Sequence, residues 1–227
     1  NIGQNVLKSS SSDEVILCLN YDGKFGLNNM NHYFQAANPN LKAATWVDWT
    51  YKVGDPILFN DSKRFPLLYN NLKGRIVDIE KEPDVITFTV DVQCFLTDAD
   101  CRRNDIVYIK SHDTGTRIQF TVVAYDGEQA DGEDDAQRMR SIIPFQLAYA
   151  VSIHKAQGLE YDSVKVIIPS NNAEKITHGV FYTAITRAKK HLKIYWSSET
   201  MKDIVQGFTA AELEGRSLEI VKSKLGI

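Results

Sequence analysis

The chain has 227 residues, 43% of them apolar, and a formal net charge of −3. That length allows one large domain or two small ones, and a chain of this size hides roughly 70% of its unfolded surface on folding. No apolar run approaches the ~20 residues that a membrane-spanning helix needs, and Asn1–Ser12 lacks the charged-then-apolar plan of a secretion signal. The expected setting is therefore cytoplasmic, with no membrane partner. Three cysteines without metal-ligand spacing, Cys18, Cys94 and Cys101, read as reduced thiols, and no metal site is expected. A net negative charge argues against coating nucleic acid with the whole surface, but it leaves room for a local basic groove. Much of the acid lies in Asp126–Asp135 (DGEQADGEDD), which reads as a solvated loop that repels phosphate.

In chain order, Val15–Leu19 (VILCL) is a continuous apolar run, the pattern of a strand buried on both faces. Turn residues follow. Leu27, Met30, Phe34 and Ala37 then recur at 3,4,3 spacing, which predicts a helix from 27 to 37, stopped by Asn38-Pro39. From about Trp46 the texture changes to short strand candidates separated by Gly, Asn, Asp and Pro: Pro56–Phe59, Gly74–Ile79, Val85–Val92, Ile106–Ile109 and Arg117–Tyr125. Five such strands with almost no helical period suggest a small β-barrel. After Pro144, strand and helix alternate: Gln146–Val151 as strand, Ile153–Leu159 as helix, Val164–Ile168 as strand, Ile176–Lys189 as helix and Leu192–Trp196 as strand. Such alternation indicates a parallel, doubly wound α/β sheet. The expected organisation is an α/β domain from residues 1–50 and 142–198, interrupted by a β-barrel over 51–141, with a helical tail over 199–227.

Two segments carry the chemistry. In Ala148–Glu160 (AYAVSIHKAQGLE) a buried strand ends at Val151 and Ser152 is placed to cap the helix expected after it. The first turn would offer backbone N–H groups and a positive dipole end to a phosphate, with His154 and Lys155 in reach. Gly158 permits close backbone approach, and Glu160 suits hydrogen bonds from a ribose hydroxyl. In Gly179–Lys190 (GVFYTAITRAKK) a helix would set Thr183 and Arg187 on one face. Arg187 would then project from a rigid element as a permanently charged, planar donor, the requirement for an arginine finger. Lys189 and Lys190 equally suit a helix C-terminus, where cations complement the dipole.

Together these segments resemble a known family. Ser152–Glu160 is similar to motif V of superfamily 1 helicases, and Tyr182–Lys189 to their motif VI, in the family's order with an apolar strand between. Leu19–Asn28 with Asn38-Pro39 resembles the corresponding strand, helix and stop of the RecD-like branch. Val53–Ile57 (VGDPI) with Tyr69–Val77 (YNNLKGRIV) resembles the opening of the SH3-like barrel inserted there. At that point the branch usually has Asn-Gly, and this chain has Asn70-Asn71, where Asn also tolerates left-handed geometry.

The resemblance implies the second RecA-like motor domain of an ATP-dependent DNA helicase, an α/β fold with helices on both faces of a parallel sheet and an SH3-like barrel inserted. It further implies that Arg187 contacts the γ-phosphate in trans, and that Gly158 and Glu160 approach the nucleotide's sugar side. Thr186 would orient motif VI or pack its helix. Ser152, His154 and Lys155 would touch single-stranded DNA, with Lys63, Arg64, Phe65 and Tyr69 flanking its exit. The cofactor would be ATP with Mg²⁺, held mainly by an N-terminal RecA-like partner domain. No Gly-x-x-x-x-Gly-Lys-Ser/Thr loop occurs, and the residue before Ile2 is Asn rather than Met, so a longer parent protein is expected and these residues alone should not hydrolyse ATP. Two other classes stay open: a degenerate module that binds nucleic acid or a partner without hydrolysis, and a recruiting role centred on the barrel.

Overall fold

A computed structural model describes residues 13–124, 140–170 and 176–208. The acidic stretch Asp126–Asp135, the N-terminal residues read for a signal, and most of the expected tail lie outside the described residues. The described residues form two compact units. One joins the residues up to Met30 with those from Ala150 onward, and the other is Asn31–Tyr149.

The first unit is α/β. Strands β1 (Glu14–Cys18), β10 (Ala150–Ser152), β11 (Tyr161–Ile167) and β12 (Ala188–Tyr195) make a four-stranded sheet in the order β10-β1-β11-β12, and every pairing is parallel. Apolar β-branched residues dominate β1 and β11 because both faces are covered: Val15, Ile16, Leu17, Val164, Val166 and Ile167 are all buried. Helix α3 (His178–Ile185) packs on β11 and β12. Lys165, in the inner strand β11, is fully buried and its Nζ lies 2.5 Å from Glu14 Oε1, while Ser163 Oγ donates to Glu14 Oε2 at 2.7 Å. Burial also pushes the Cys18 thiol up to about 12, which keeps it protonated and unreactive. All three cysteines are free thiols.

The second unit is built on antiparallel pairing. Six strands follow the order β7-β8-β6-β5-β4-β9: β4 (Pro56–Phe59), β5 (Lys73–Lys81), β6 (Val85–Val92), β7 (Val107–His112), β8 (Gly115–Val123) and β9 (Phe145–Leu147). The chain alternates as a one-sided sheet requires. In β6, Ile86, Phe88, Val90 and Val92 point inward and every intervening residue is half-exposed. Tyr51, Phe59, Phe88, Phe120 and Phe145 pack ring against ring with centroids 5.1–6.4 Å apart. Among the described strands no pairing joins β7 to β9, so the hydrogen-bonded sheet does not close on itself.

Where the chain enters and leaves this unit, one buried carboxylate collects the segments. Asp55 accepts from Gln35 Nε2 (2.5 Å), Asn38 Nδ2 (2.9 Å), the Lys52 N–H (2.8 Å) and Tyr149 Oη (2.8 Å). That gives the Val53–Ile57 segment a structural reason: Gly54 takes a left-handed φ of +93° and turns the chain so that Asp55 faces inward. The turn at Asn70-Asn71 also forms. Asn71 has a φ of +70° and donates its N–H to Phe59 O, so asparagine fills the left-handed position without glycine.

Several expectations are corrected. The strand expected over Gln146–Val151 is two strands, β9 in one unit and β10 in the other, because an apolar run carries no mark of the boundary between them. The hairpin β2 (Ala43–Trp46) and β3 (Trp49–Lys52) and the short helix α2 (Asp98–Arg103) were not anticipated. Residues 31–50, expected in the α/β domain, group instead with the inserted unit. Helix α1 (Leu27–Ala36) ends one residue early, with the N–H groups of Ala37 and Asn38 tightening its last turn onto Phe34 O and Gln35 O.

Across β6 and β8, Asp91 faces Arg117 in a two-pronged pair, with Arg117 Nε to Oδ1 at 2.7 Å and Nη2 to Oδ2 at 2.9 Å. The Arg117 hydrogen bonds hold the Asp91 carboxyl below the usual carboxylate range, against the opposing effect of burial. A carboxyl lowered in the folded state stabilises the fold above its unfolded pKa of about 4, and that stability is lost as pH falls through the lowered folded value. The pair is partly exposed, so about 1 kcal/mol is expected. Urea midpoints measured from pH 7 down to pH 3 should fall more steeply for the natural chain than for Asp91→Asn. Parallel curves would remove Asp91 from the acid response.

Candidate functional site

Strand β10 delivers Ser152, buried, at the carboxyl end of the parallel sheet. The chain then makes a single α-type turn, Ala156 N–H to Ser152 O at 3.0 Å, followed by tighter turns from Gln157 to His154 and from Leu159 to Ala156. The helix expected over Ile153–Leu159 is not there. Seven residues give too few hydrogen bonds to repay helix nucleation, and Gly158 leaves the right-handed region with a φ of +82°. What survives of the expected cap is local: Ser152 Oγ accepts the Lys155 N–H at 3.2 Å. His154 is exposed and Lys155 half-buried.

The second segment is similarly shifted. Thr177 caps α3 by accepting the Val180 N–H, and the helix stops at Ile185. Thr186 is the C-cap, and its hydroxyl donates back to the Tyr182 and Thr183 carbonyls (2.8 and 3.3 Å). Arg187 therefore sits beyond the helix, in the turn before β12, rather than on a helical face. Its side chain folds back as a brace. Nε donates to Thr183 O (2.9 Å), Nη1 to Leu159 O (3.0 Å) and Nη2 to Thr186 Oγ1 (3.0 Å). Lys189 and Lys190, expected at a helix C-terminus, lie in β12, and pair with Glu160 (3.3 Å) and Asp162 (2.8 Å).

Topology brings the two segments together. Tyr161 opens β11 and Ala188 opens β12, and these two are register partners in the parallel pair, so Glu160 and Arg187 are neighbours immediately before it. The Tyr161 N–H donates to Arg187 O at 2.9 Å. Gly158, Glu160 and Arg187 thus form one cluster at the amino end of β11 and β12. Ser152, His154 and Lys155 lie at the other end of the strands, following β10. The 153–160 turn runs from one group to the other.

A cavity of about 260 Å³ opens beside Asn20, Asp22, Lys24, Phe25, Pro169 and Ser170. It lies beyond the carboxyl ends of β1 and β11, where open α/β sheets receive ligands. Gly26 makes its wall possible, since a Cβ there would lie 2.5 Å from the Asp22 backbone. The sequence reading treated these residues as a turn and missed the cavity; the signal was the polar turn directly after a buried strand.

The remaining residues expected at the DNA exit lie in the second unit. Lys63 and Tyr69 are exposed, whereas Phe65 is buried in the aromatic core and is not available to a base. Arg64 donates to the carbonyls of Arg140, Ile142 and Thr121 and lies 4.5 Å from the Phe65 ring centroid. Burial pulls its guanidinium down to about 10, with Asp105 opposing the fall and Arg140 adding to it. Arg64 thus gives three of its five N–H donors to carbonyls of its own unit. Among the described residues no group of three His, Cys, Asp or Glu side chains is placed to hold a metal ion, and no helix is long and apolar enough to cross a membrane.

Residues 147–195 match the family model of the UvrD-like helicase C-terminal domain. The chain is 33% identical over 55 residues to the RecBCD enzyme subunit RecD of Buchnera aphidicola subsp. Schizaphis graminum, covering 24% of this chain and 9% of that protein. To the RecD subunit of Buchnera aphidicola subsp. Acyrthosiphon pisum it is 22% identical over 203 residues, covering 85% of this chain and 27% of the relative. It therefore spans about a quarter or less of the length of these relatives. Among solved structures, the Pif1 helicase from Bacteroides, in complex with ADP-AlF3 and ssDNA, overlays with a TM-score of 0.42 at 14% identity, over 91% of this chain and 49% of that one. Residues 147–195, which hold both motif segments, are thus similar to a UvrD-like helicase C-terminal domain, and the longer match makes the chain similar to RecD subunits.

Proposed function

We propose that this chain works as the second RecA-like motor domain of an ATP-dependent DNA helicase or translocase, with Arg187 as its arginine finger. The observation that carries the proposal is the cluster of Gly158, Glu160 and Arg187, three groups from two motif segments, at the amino end of one strand pair. The residues fit a nucleotide approached from outside. Nothing lies within 4 Å of a Cβ built on Gly158, Glu160 is exposed, and two of the five guanidinium N–H donors of Arg187 lie beyond its three contacts with described residues. ATP, when bound, supplies a phosphoryl group for transfer to water. Arg187 then donates to the charge that grows on the phosphate oxygens, and Glu160 accepts from the sugar hydroxyls. Mg²⁺ and the phosphate loop belong, on this reading, to an N-terminal RecA-like domain of the same protein.

At the other end of the strands, Ser152, His154 and Lys155 would hold single-stranded DNA by its phosphates, with sequence-tolerant affinity. On this reading the antiparallel unit stands where the branch has its SH3-like insert, and its exposed Lys63 and Tyr69 would contact the strand. The 153–160 turn is the physical link by which a strand at one end of the sheet alters the nucleotide cluster at the other. The test is ATP hydrolysis by the full-length protein with single-stranded DNA, natural against Arg187→Ala. DNA-stimulated turnover that depends on Arg187 supports a motor. Turnover indifferent to Arg187, or absent from both, makes the chain a binding module.

A further inference from the structure

We propose that Thr186 is a positioning residue for Arg187, an assignment that rests on the arginine-finger reading of that residue. An arginine side chain has four rotatable bonds, and its use as a finger depends on where the guanidinium plane points. Three acceptors fix that plane here. Two are backbone carbonyls, Thr183 O to Nε and Leu159 O to Nη1, and they survive any side-chain substitution at their own positions. The third, Thr186 Oγ1 to Nη2 at 3.0 Å, is among the described residues the one side chain that accepts from Arg187.

The hydroxyl is itself held in place. Its proton goes to Tyr182 O at 2.8 Å, with Thr183 O at 3.3 Å as a second acceptor, so its lone pairs are left to face the guanidinium. Both partners belong to the last turn of α3, a rigid element, and the Thr186 N–H also bonds to Tyr182 O at 3.1 Å. The aim of Arg187 is thus referred to the helix end through two oxygens, Thr183 O and Thr186 Oγ1, of which only the second is a side-chain atom. The three contacts use one N–H on each of Nε, Nη1 and Nη2, which leaves one donor on Nη1 and one on Nη2 beyond these contacts. Those two donors are the ones that can reach phosphoryl oxygens. Without the Thr186 oxygen only two carbonyl contacts restrain the guanidinium, and movement in the side-chain torsions turns the remaining donors away.

The experiment uses the full-length protein and single-stranded-DNA-stimulated ATP hydrolysis. Thr186→Val keeps the shape and removes the acceptor; it should lower kcat about tenfold, the scale of one hydrogen bond to a charged group, with KM for ATP within about twofold. Thr186→Ser, which keeps the oxygen, should restore kcat to near the natural value. In an Arg187→Ala background Thr186→Val should add almost nothing. Melting temperatures are taken for every variant, and if Thr186→Val does not fold, Thr186→Ala carries the same comparison. Retained kcat in Thr186→Val alongside a large loss in Arg187→Ala would overturn the positioning role while leaving the finger intact. Indifference to Arg187→Ala would sink the finger reading and this inference with it.

Discussion

Replacing Arg187 by alanine in the full-length protein is expected to lower single-stranded-DNA-stimulated ATP turnover by about a hundredfold or more, since an arginine finger typically contributes ~10³–10⁵ in rate. The effect should lie in kcat, because the guanidinium meets charge that develops during transfer and is weak in the ground state. Arg187→Lys should recover little, as an ammonium cannot place paired donors while holding the Thr183 and Leu159 carbonyls. The same substitution also removes a brace between two loops. Binding of single-stranded DNA must therefore be measured beside turnover: preserved affinity with lost turnover is the expected pattern. Equal loss of both would make Arg187 a structural tie, and no loss of either would remove it from the chemistry.

Glu14→Leu is expected to destabilise the α/β unit by about 3–5 kcal/mol, because it takes the carboxylate away from a fully buried ammonium, Lys165. Lys165→Met should cost less. Glu14 keeps the bond from Ser163 Oγ and remains slightly exposed, so its charge is not left wholly unsolvated. The double variant, Glu14→Leu with Lys165→Met, should recover most of the loss, since a buried pair replaced by apolar groups of similar size is often neutral. Urea denaturation of the four proteins measures the coupling directly. Additive losses, or single losses below about 1 kcal/mol, would show that the pair is hydrated and not a buried ion pair.

The sheets were legible because burial writes itself into periodicity. β4 and β6 match their expected limits at both ends, one as a short apolar run and the other as strict alternation. The parallel strands β1 and β11 announced themselves through β-branched runs that only a strand covered on both faces tolerates. The hairpin β2–β3 was missed because Ala43–Lys52 mixes exposed and buried residues over strands of four, too short for a period to register. Helix α2 has six residues and depends on its Thr97 cap rather than on an apolar face.

For the site, sequence by itself singled out two candidate segments and their order, Ser152–Glu160 and Tyr182–Lys189, through residue chemistry and their resemblance to helicase motifs V and VI. It did not determine their geometry. Helical spacing put Arg187 on a face of α3, yet the Thr186 hydroxyl ends the helix first, a side-chain bond that periodicity cannot represent. The expected helix after Ser152 became a set of turns once Gly158 took a left-handed φ. Chain folding also decided that Phe65 serves the core of its own unit and that Arg64 is tied to the Arg140 and Ile142 carbonyls, though their types suit a nucleic-acid surface equally well. Residue chemistry is local and can be read from the chain. The meeting of Leu159, Glu160 and Arg187, more than 25 positions apart in sequence at its widest, follows from the register of β11 against β12, and only the tertiary structure sets that register.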